Sequence, residues 1–332
     1  MRISVIVPVW NGEDLLRRLL GTLEAQTLAA RELLVVDNGS EDGAPELARR
    51  AGARVIAMGR NAGFAAAVNR GIREARGECV AVLNSDVELS PGYFAGLAGR
   101  LAETDAWFAT GKILATGSDT RIDGTFDAVC RGGTACRVGS GHEDNGWLST
   151  PRTIWSAPWT AALFRAGLFE RVGVLEERFE SYLEDVDFGM RCARLGLAGA
   201  YVPEAVAWHR GSASLGRWHR ETVRRLARNQ MFLLARHYPG RYLRRRAWAI
   251  LVAQMLWGGV ALRHGAGWAW ARGKWQGWRG FRNARTETVF EEEALERLLR
   301  ENERWIGEAR RAAGEQDWYW RMYFLLAGSG AK

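Results

Sequence analysis

Three features of the sequence predict an α/β protein: a mostly parallel sheet flanked by helices, with a C-terminal helical appendage that is basic and rich in tryptophan. Apolar runs at residues 3–9 and 79–83 carry no charge, as expected of strands covered on both faces. Between such runs apolar residues recur at helical spacing, as in Leu15, Leu16, Leu19, Leu20 and Leu23. From Arg217 the composition changes: residues 220–285 hold fifteen Lys/Arg and one acid, Glu221, a local net of +14 in a chain whose total is +8.

The elements follow in order. A strand over 3–9 turns at Asn11-Gly12 into the leucine helix, and residues 32–37 form a second buried strand ending in Asp37. Asn38-Gly-Ser-Glu-Asp-Gly43 is a turn, with Ser40 expected to cap a helix reaching Ala51. A short strand over 54–57 leads through Asn61-Ala-Gly-Phe64 into a helix ending near Arg76, and the strand over 78–83 ends at Asn84-Ser85-Asp86. This alternation implies right-handed crossovers and a ligand site beyond the carboxyl ends of the strands. Asp37 and Asp86 both sit there. Pro91 opens a helix to about Glu103, and 106–114 reads as a strand. Residues 115–150 dissolve into Gly, Ser, Asp and Thr and are read as loops and short strands over the site. Residues 153–164 return to strand and then helix. A last strand over 200–209 precedes a Gly/Ser-rich loop at 210–216, expected to be mobile.

The chain has 332 residues, 47% hydrophobic and 25% charged, which fits a globular protein divided into a domain over 1–216 and a helical region over 217–332. Strand-like sequence begins at residue 2, with no basic segment followed by an apolar one ahead of it, so no secretion signal is expected. Cys79, Cys130, Cys136 and Cys192 lack metal-ligand spacing. Reduced thiols in a cytosolic protein are expected, with Cys130 and Cys136 at most clipping one loop.

In the C-terminal region, 217–237 reads as a basic helix. Residues 247–262 run sixteen positions without a charge between Arg244-Arg-Arg246 and Arg263. A spanning helix needs roughly 20, and this segment is interrupted by Gln254 and Gly258-Gly259, so it is read as in-plane or re-entrant. Trp268, Arg272, Trp275, Arg279 and Arg282 share one helical stripe suited to a headgroup layer, where each Lys/Arg gains about 1 kcal/mol near an anionic leaflet. The plain alternative is a solvated basic face. Binding of single-stranded nucleic acid is a second alternative, disfavoured by the apolar segment, so no nucleic-acid partner is expected. Residues 290–313 form a mixed-charge helix, and the aromatic tail 318–326 docks on protein or lipid.

The carboxylates Glu184, Asp185 and Asp187 precede a helical run at 188–195. Asp187 and Arg191, four apart, can pair along one face. Asp185 lies on another face with no cation near it in sequence, placed to take a proton from a hydroxyl. The plain reading is charge complementing a helix dipole.

Six motifs together resemble family 2 glycosyltransferases of GT-A (Rossmann-like) fold, most closely a rhamnosyltransferase-like branch acting on lipid-linked precursors. They are Val5-Ile-Val-Pro-Val-Trp-Asn11, Leu34-Val-Val-Asp-Asn-Gly-Ser40, Asn61-Ala-Gly-Phe-Ala-Ala-Ala-Val-Asn-Arg-Gly71, Leu83-Asn-Ser-Asp86, Tyr182-Leu-Glu-Asp-Val-Asp187 and Trp208-His-Arg-Gly-Ser212. The resemblance implies that Asp37 accepts a hydrogen bond from the donor base and that Pro8, Trp10 and Asn11 line the base and ribose pocket. Arg60, Asn61 and Asn69 would lie along the donor nucleotide, with Ser85 and Asp86 at the diphosphate. Asp86 and His209 would hold Mg²⁺ or Mn²⁺, and Asp185 would be the catalytic base. Hard oxygen ligands and a divalent ion neutralise the charge of a departing diphosphate, and one base with one displacement implies inversion. Asn84 replaces the first acid of the family's Asp-any-Asp motif, which implies weaker metal binding, and Glu184 stands beside the base. Trp155 and Trp159 are read as core. The implied activity is transfer of a sugar, L-rhamnose from a dTDP donor, to a polyprenyl-linked glycan at the inner face of the cell membrane. A UDP-sugar transferase and a non-catalytic nucleotide-sugar scaffold are the rivals.

Overall fold

The computed structural model describes residues 1–211, 218–314 and 317–328. The chain divides into two units, Met1–Phe126 with Gly139–Gly211, and Asp127–Val138 with Ser212–Lys332. Ser212 and most of the Gly/Ser-rich loop lie outside the described residues.

The first unit begins with strand β1 (Ile3–Val9), helix α1 (Glu13–Glu24), β2 (Glu32–Asp37), α2 (Ala44–Arg50), β3 (Arg54–Ala57), α3 (Phe64–Glu74) and β4 (Cys79–Leu83). It continues through β5 (Val87–Leu89), α4 (Tyr93–Glu103), β6 (Phe108–Ala115) and β7 (Ile122–Gly124). The hairpin β8 (Asp127–Val129) and β9 (Ala135–Arg137) belongs to the second unit. The first unit resumes with β10 (Arg152–Ile154), β11 (Ala161–Arg165), α5 (Gly167–Val172), a single 3-10 turn (Glu177–Phe179), α6 (Glu184–Arg194) and β12 (Gly199–His209).

Among the described residues one sheet of ten strands runs in the order β10-β12-β6-β11-β4-β1-β2-β3, with β5 on β12 and β7 on β6. The pairings make β1, β2, β3, β4, β6 and β12 point one way, with β11 reversed between β4 and β6. The sheet is therefore mostly parallel and mixed. Its parallel strands are apolar because both faces are covered: all five residues of β4 are buried. On one face Val5, Val7 and Val9 pack with Leu16 and Leu19 of α1 and with Leu97 of α4. Trp159, fully buried, packs with Phe164 and Phe188 at centroid distances of 4.5 and 5.0 Å.

Three local expectations change. Ser40 does not cap α2, whose N-cap is Gly43; its hydroxyl instead accepts the Asn11 amide at 2.9 Å. Helix α6 starts at Glu184, so all three carboxylates lie within its first turn. Residues 153–164 contain two strands separated by a loop, and 115–150 contributes β7 to the sheet and the β8–β9 hairpin to the second unit.

The second unit adds α7 (Arg220–His237), α8 (Gly240–Arg245), α9 (Ala247–Arg263), α10 (Gly267–Ala284), α11 (Glu292–Ala312) and α12 (Trp318–Ala327). Its hairpin is held by a buried ion pair, Arg131 Nε to Glu303 Oε2 at 2.8 Å, with the Tyr323 hydroxyl donating to Glu303 Oε1 at 2.7 Å. The Gly132 amide donates to the Tyr323 oxygen at 3.1 Å. All four cysteines are free thiols.

Candidate active site

Parallel strands leave their carboxyl ends on one edge of the first unit, and loops there gather most of the expected residues. Asp37 ends β2, and its Oδ1 accepts the Ser40 amide at 2.9 Å, closing the turn. Asn11, at φ 58°, extends β1 into the same turn, its Oδ1 accepting from the Glu41 amide at 2.9 Å. The loop after β3 is stitched on by Asn38, whose amide donates to Asn61 Oδ1 at 3.1 Å and whose Oδ1 accepts from the Ala62 amide at 2.9 Å. Gly39 is required here: at φ +84°, a Cβ would stand 2.8 Å from the Arg60 Cα. Pro8 pairs with Val36 within the sheet, and Trp10 is exposed just beyond it. Pro8, Trp10, Asn11, Asp37, Arg60 and Asn61 thus share one rim.

Asn69 does not join them. It is buried within α3; its amide donates to the Leu175 carbonyl at 2.9 Å and Glu177 Oε1 at 3.0 Å, and its Oδ1 accepts from the Leu175 amide at 2.9 Å. It pins the 175–177 segment to α3, and its polar atoms face inward because an unpaired buried amide would be costly.

Asn84-Ser85-Asp86 follows β4, with the Asn84 amide donating to the Thr160 carbonyl at 2.9 Å. His209 ends β12 opposite Val87. Its Nε2 lies 3.2 Å from Asp86 Oδ1 and its Nδ1 2.8 Å from Asp123 Oδ2. Burial alone would push this imidazole down; hydrogen bonds to Asp123 and Asp86 outweigh it and hold it up to about 9. An ion held at Nε2 would displace the proton from that nitrogen, leaving Nδ1–H on Asp123.

No three His, Cys, Asp or Glu among the described residues close on a metal by themselves. The Asp86–His209 pair nevertheless fits one: ligands at adjacent positions of an octahedral ion with bonds of about 2.1 Å stand about 3 Å apart. The Asp123 carboxylate on the far nitrogen is the partner a metal-ligating histidine commonly has. Asp123 was not among the expected residues. It lies in β7, within the stretch where periodicity vanishes, and only the pairing of both β7 and β12 with β6 brings it to His209.

A cleft of about 230 Å³ opens beside Asp86, lined also by Arg18, Thr116 and Arg210. Arg18 faces Glu88 at 3.8 Å. Exposed Arg210 directly follows His209, and its amide donates to the Asp86 carbonyl at 3.1 Å. Its sequence signal was its place beside His209 in the Trp208-His-Arg-Gly-Ser212 motif.

Asp185 lies in the first turn of α6, its Oδ1 accepting from the Val186 amide at 2.9 Å. Two consecutive left-handed residues, Tyr182 at φ 74° and Leu183 at φ 67°, aim this turn. Such a conformation costs about 1–2 kcal/mol per non-glycine residue and is typical of functional loops. The preceding chain is anchored at the sheet edge, where the Glu180 carbonyl accepts from the Ala65 amide at 3.1 Å. The Ser156 hydroxyl meets the Asp185 carbonyl at 3.5 Å. Because β11 runs antiparallel to β4, the segment entering β11 is at the carboxyl edge of β4, so Asp185 and Asp86 occupy the same edge. Asp187 is fully buried against Arg191 Nε at 3.0 Å, and Arg191 also donates to the Val172 and Val174 carbonyls. That pair is structural.

This edge gathers a rim of polar loop residues, an acid–imidazole pair and, on the same edge, the Asp185 carboxylate, an arrangement that suits a glycosyltransferase. The family model described as Glycosyl transferase family 2 matches residues 4–173, and the chain belongs to that family. It is 30% identical over 239 residues to the N-acetylglucosaminyl-diphospho-decaprenol L-rhamnosyltransferase of Mycobacterium tuberculosis, covering 65% of this chain and 78% of that one; this sets it with the rhamnosyltransferase-like branch. An undecaprenyl-phosphate 4-deoxy-4-formamido-L-arabinose transferase of Pseudomonas aeruginosa is 35% identical over 127 residues, 36% of this chain and 37% of its own. Among solved structures, GalNAc-T7 with UDP, GalNAc and Mn²⁺ superposes with a TM-score of 0.59 at 13% identity, over 77% of this chain and 51% of that one. The Pyrobaculum calidifontis mannosyltransferase with GDP-Man and Mn²⁺ gives 0.52 at 18% identity, over 100% and 88%. These two support the GT-A fold.

Proposed function

We propose that the chain transfers a sugar, L-rhamnose from dTDP-L-rhamnose, to a polyprenyl-linked saccharide with inversion at the anomeric carbon, assisted by Mg²⁺ or Mn²⁺. The observation that carries this reading is the 3.2 Å approach of Asp86 and His209 on the strand edge that also bears Asp37 and Asp185. The mycobacterial relative, named for a diphospho-decaprenol acceptor and L-rhamnose, supports the acceptor class and the sugar. The Mn²⁺ in the two structural neighbours supports the metal.

In this reading Asp37 receives the base through the oxygen not spent on Ser40. Pro8, Trp10 and Asn11 flank the base and ribose, and Arg60 and Asn61 follow the nucleotide. Asp86 and His209 would hold the divalent ion, with Ser85 beside them; when bound, it neutralises charge on the diphosphate. Asp123 fixes the imidazole so that Nε2 faces Asp86. Asp185 takes the proton of the acceptor hydroxyl while its oxygen attacks the anomeric carbon and the nucleoside diphosphate departs. The second unit is read as the part that holds the protein on the inner face of the cell membrane; among the described residues no helix is long and apolar enough to cross it.

Asp185→Asn is expected to lower turnover by about 10²–10⁴-fold with donor affinity unchanged, measured by nucleotide release and calorimetry. Normal turnover would remove Asp185 as the base. A donor panel of dTDP-L-rhamnose, UDP-hexose and UDP-N-acetylhexosamine separates the rhamnosyl reading from a UDP-sugar transferase. Donor binding without transfer to any acceptor would leave a scaffold.

A further inference from the structure

Helix α9 presents a row of large apolar side chains to solvent: Trp248 is 61% exposed, Leu251 51%, Met255 55% and Leu262 71%. Their spacing of three, four and seven residues places all four within one narrow stripe, about 21 Å long at 1.5 Å per residue. The opposite faces of α9 are committed to the unit's own core. Ala253 is buried, and Gln254 donates to the Gly132 carbonyl at 2.8 Å. Gly258 lies against the Trp270 ring, and α12 covers a further side, where Trp248 Nε1 donates to the Leu326 carbonyl at 2.9 Å. Leu325, on α12 beside that contact, is 72% exposed.

A water-facing stripe of this kind needs an occupant, and the charge around it indicates which. Exposed Arg244 and Arg263 stand just before and at the end of α9, and no acid occurs anywhere from residue 222 to 286. The next helix, α10, exposes Trp268, Arg272, Trp275 and Arg279, with the Arg279 guanidinium 4.7 Å from the Trp275 ring centroid. Tryptophan and arginine are the residues of the layer where acyl chains meet phosphates. We infer that α9 is a monotopic insertion helix: it lies in the plane of an anionic leaflet, with Trp248, Leu251, Met255 and Leu262 among the acyl chains and Arg244 and Arg263 at the phosphates. The inference rests on the membrane reading of the second unit given above and names the surface responsible.

The test uses the full chain and vesicles of phosphatidylcholine with and without phosphatidylglycerol, with no donor or acceptor present. Wild type is expected to co-sediment with the anionic vesicles, to retain part of that binding at high salt, and to have tryptophan emission quenched by lipids brominated along the acyl chain. Leu251→Asp combined with Met255→Asp is expected to lower partitioning at least about tenfold and abolish quenching, with circular dichroism and donor turnover on a water-soluble acceptor unchanged. Arg244→Glu combined with Arg263→Glu is expected to weaken binding at low salt and to flatten its dependence on salt, since the screened attraction to the phosphates is what is removed. Undiminished binding by the Leu251/Met255 variant, or no binding by wild type, would overturn the assignment. So would a concentration-dependent dimer that the same variant dissolves, since a second copy of the chain would then cover the stripe. Transfer is assayed separately, so a failed donor or base assignment leaves this result readable.

Discussion

Asp123 shows how one side chain acts through another. It holds the His209 ring at 2.8 Å, and that contact keeps Nε2 turned to Asp86. Asp123→Asn retains the size but loses the charge; metal affinity is expected to fall about 10–100-fold, read by calorimetric or spin-resonance titration with Mn²⁺, with Asp123→Ala weaker still. An unchanged affinity would mean that the backbone alone positions the ring. Asp187 makes the opposite kind of prediction. Its buried carboxylate depends on Arg191, so Arg191→Met should cost about 3–5 kcal/mol of stability in chemical denaturation. The difference between neighbouring acids is environmental: Asp187 is sealed inside α6, whereas Asp185 is half-buried at the strand edge.

Elements pair through features that composition hides. Helices α7 and α10 approach so closely that a Cβ on Gly273 would collide with the Arg224 carbonyl, and one on Gly277 would lie 2.6 Å from Met231 Cβ. Gly277→Ala is therefore expected to destabilise by about 1–3 kcal/mol, although alanine normally favours a helix; a higher melting temperature would contradict the packing. Helix α11 meets the α8–α9 junction through Glu296, which accepts from the Tyr242 hydroxyl at 2.6 Å, from Arg300 Nε at 2.7 Å and from Arg246. Burial would raise this carboxyl, but the bonds from Tyr242, Arg300 and Arg246 outweigh it and hold it at about 2, against an ordinary 4.5. A depressed carboxyl stabilises the fold above its unfolded value and loses that contribution as pH falls from 4.5 through 2. Solvent screening keeps the effect to about 1–2 kcal/mol. The melting temperature of Glu296→Gln should consequently vary less than wild type across that window.

For the whole molecule, the division into units does not follow the chain. The 127–138 segment is inserted in the first unit's sequence yet belongs to the second, where Arg131 and Glu303 bury their charges together. Residues 1–211 made alone would expose Ala128, Val129 and Cys130 and leave Arg131 without its carboxylate. That fragment is expected to express poorly or aggregate, and replacing 127–138 by a short glycine linker should improve its yield, checked by size-exclusion chromatography and circular dichroism. Equal yields would mean that the hairpin is tolerated outside its helices.

The alternating pattern of apolar strands and amphipathic helices settled the α/β class, and strand-end acids marked the edge where chemistry belongs, because both are local consequences of side-chain periodicity. The exposed Trp/Arg stripe of α10 was legible for the same reason. Tertiary structure alone decided that Asn69 faces inward, that Ser40 ties two loops together instead of capping a helix, and that Asp123 reaches His209. Each of those depends on which strand or loop lies beside another, and pairing between residues 86 positions apart leaves no trace in the period of either segment.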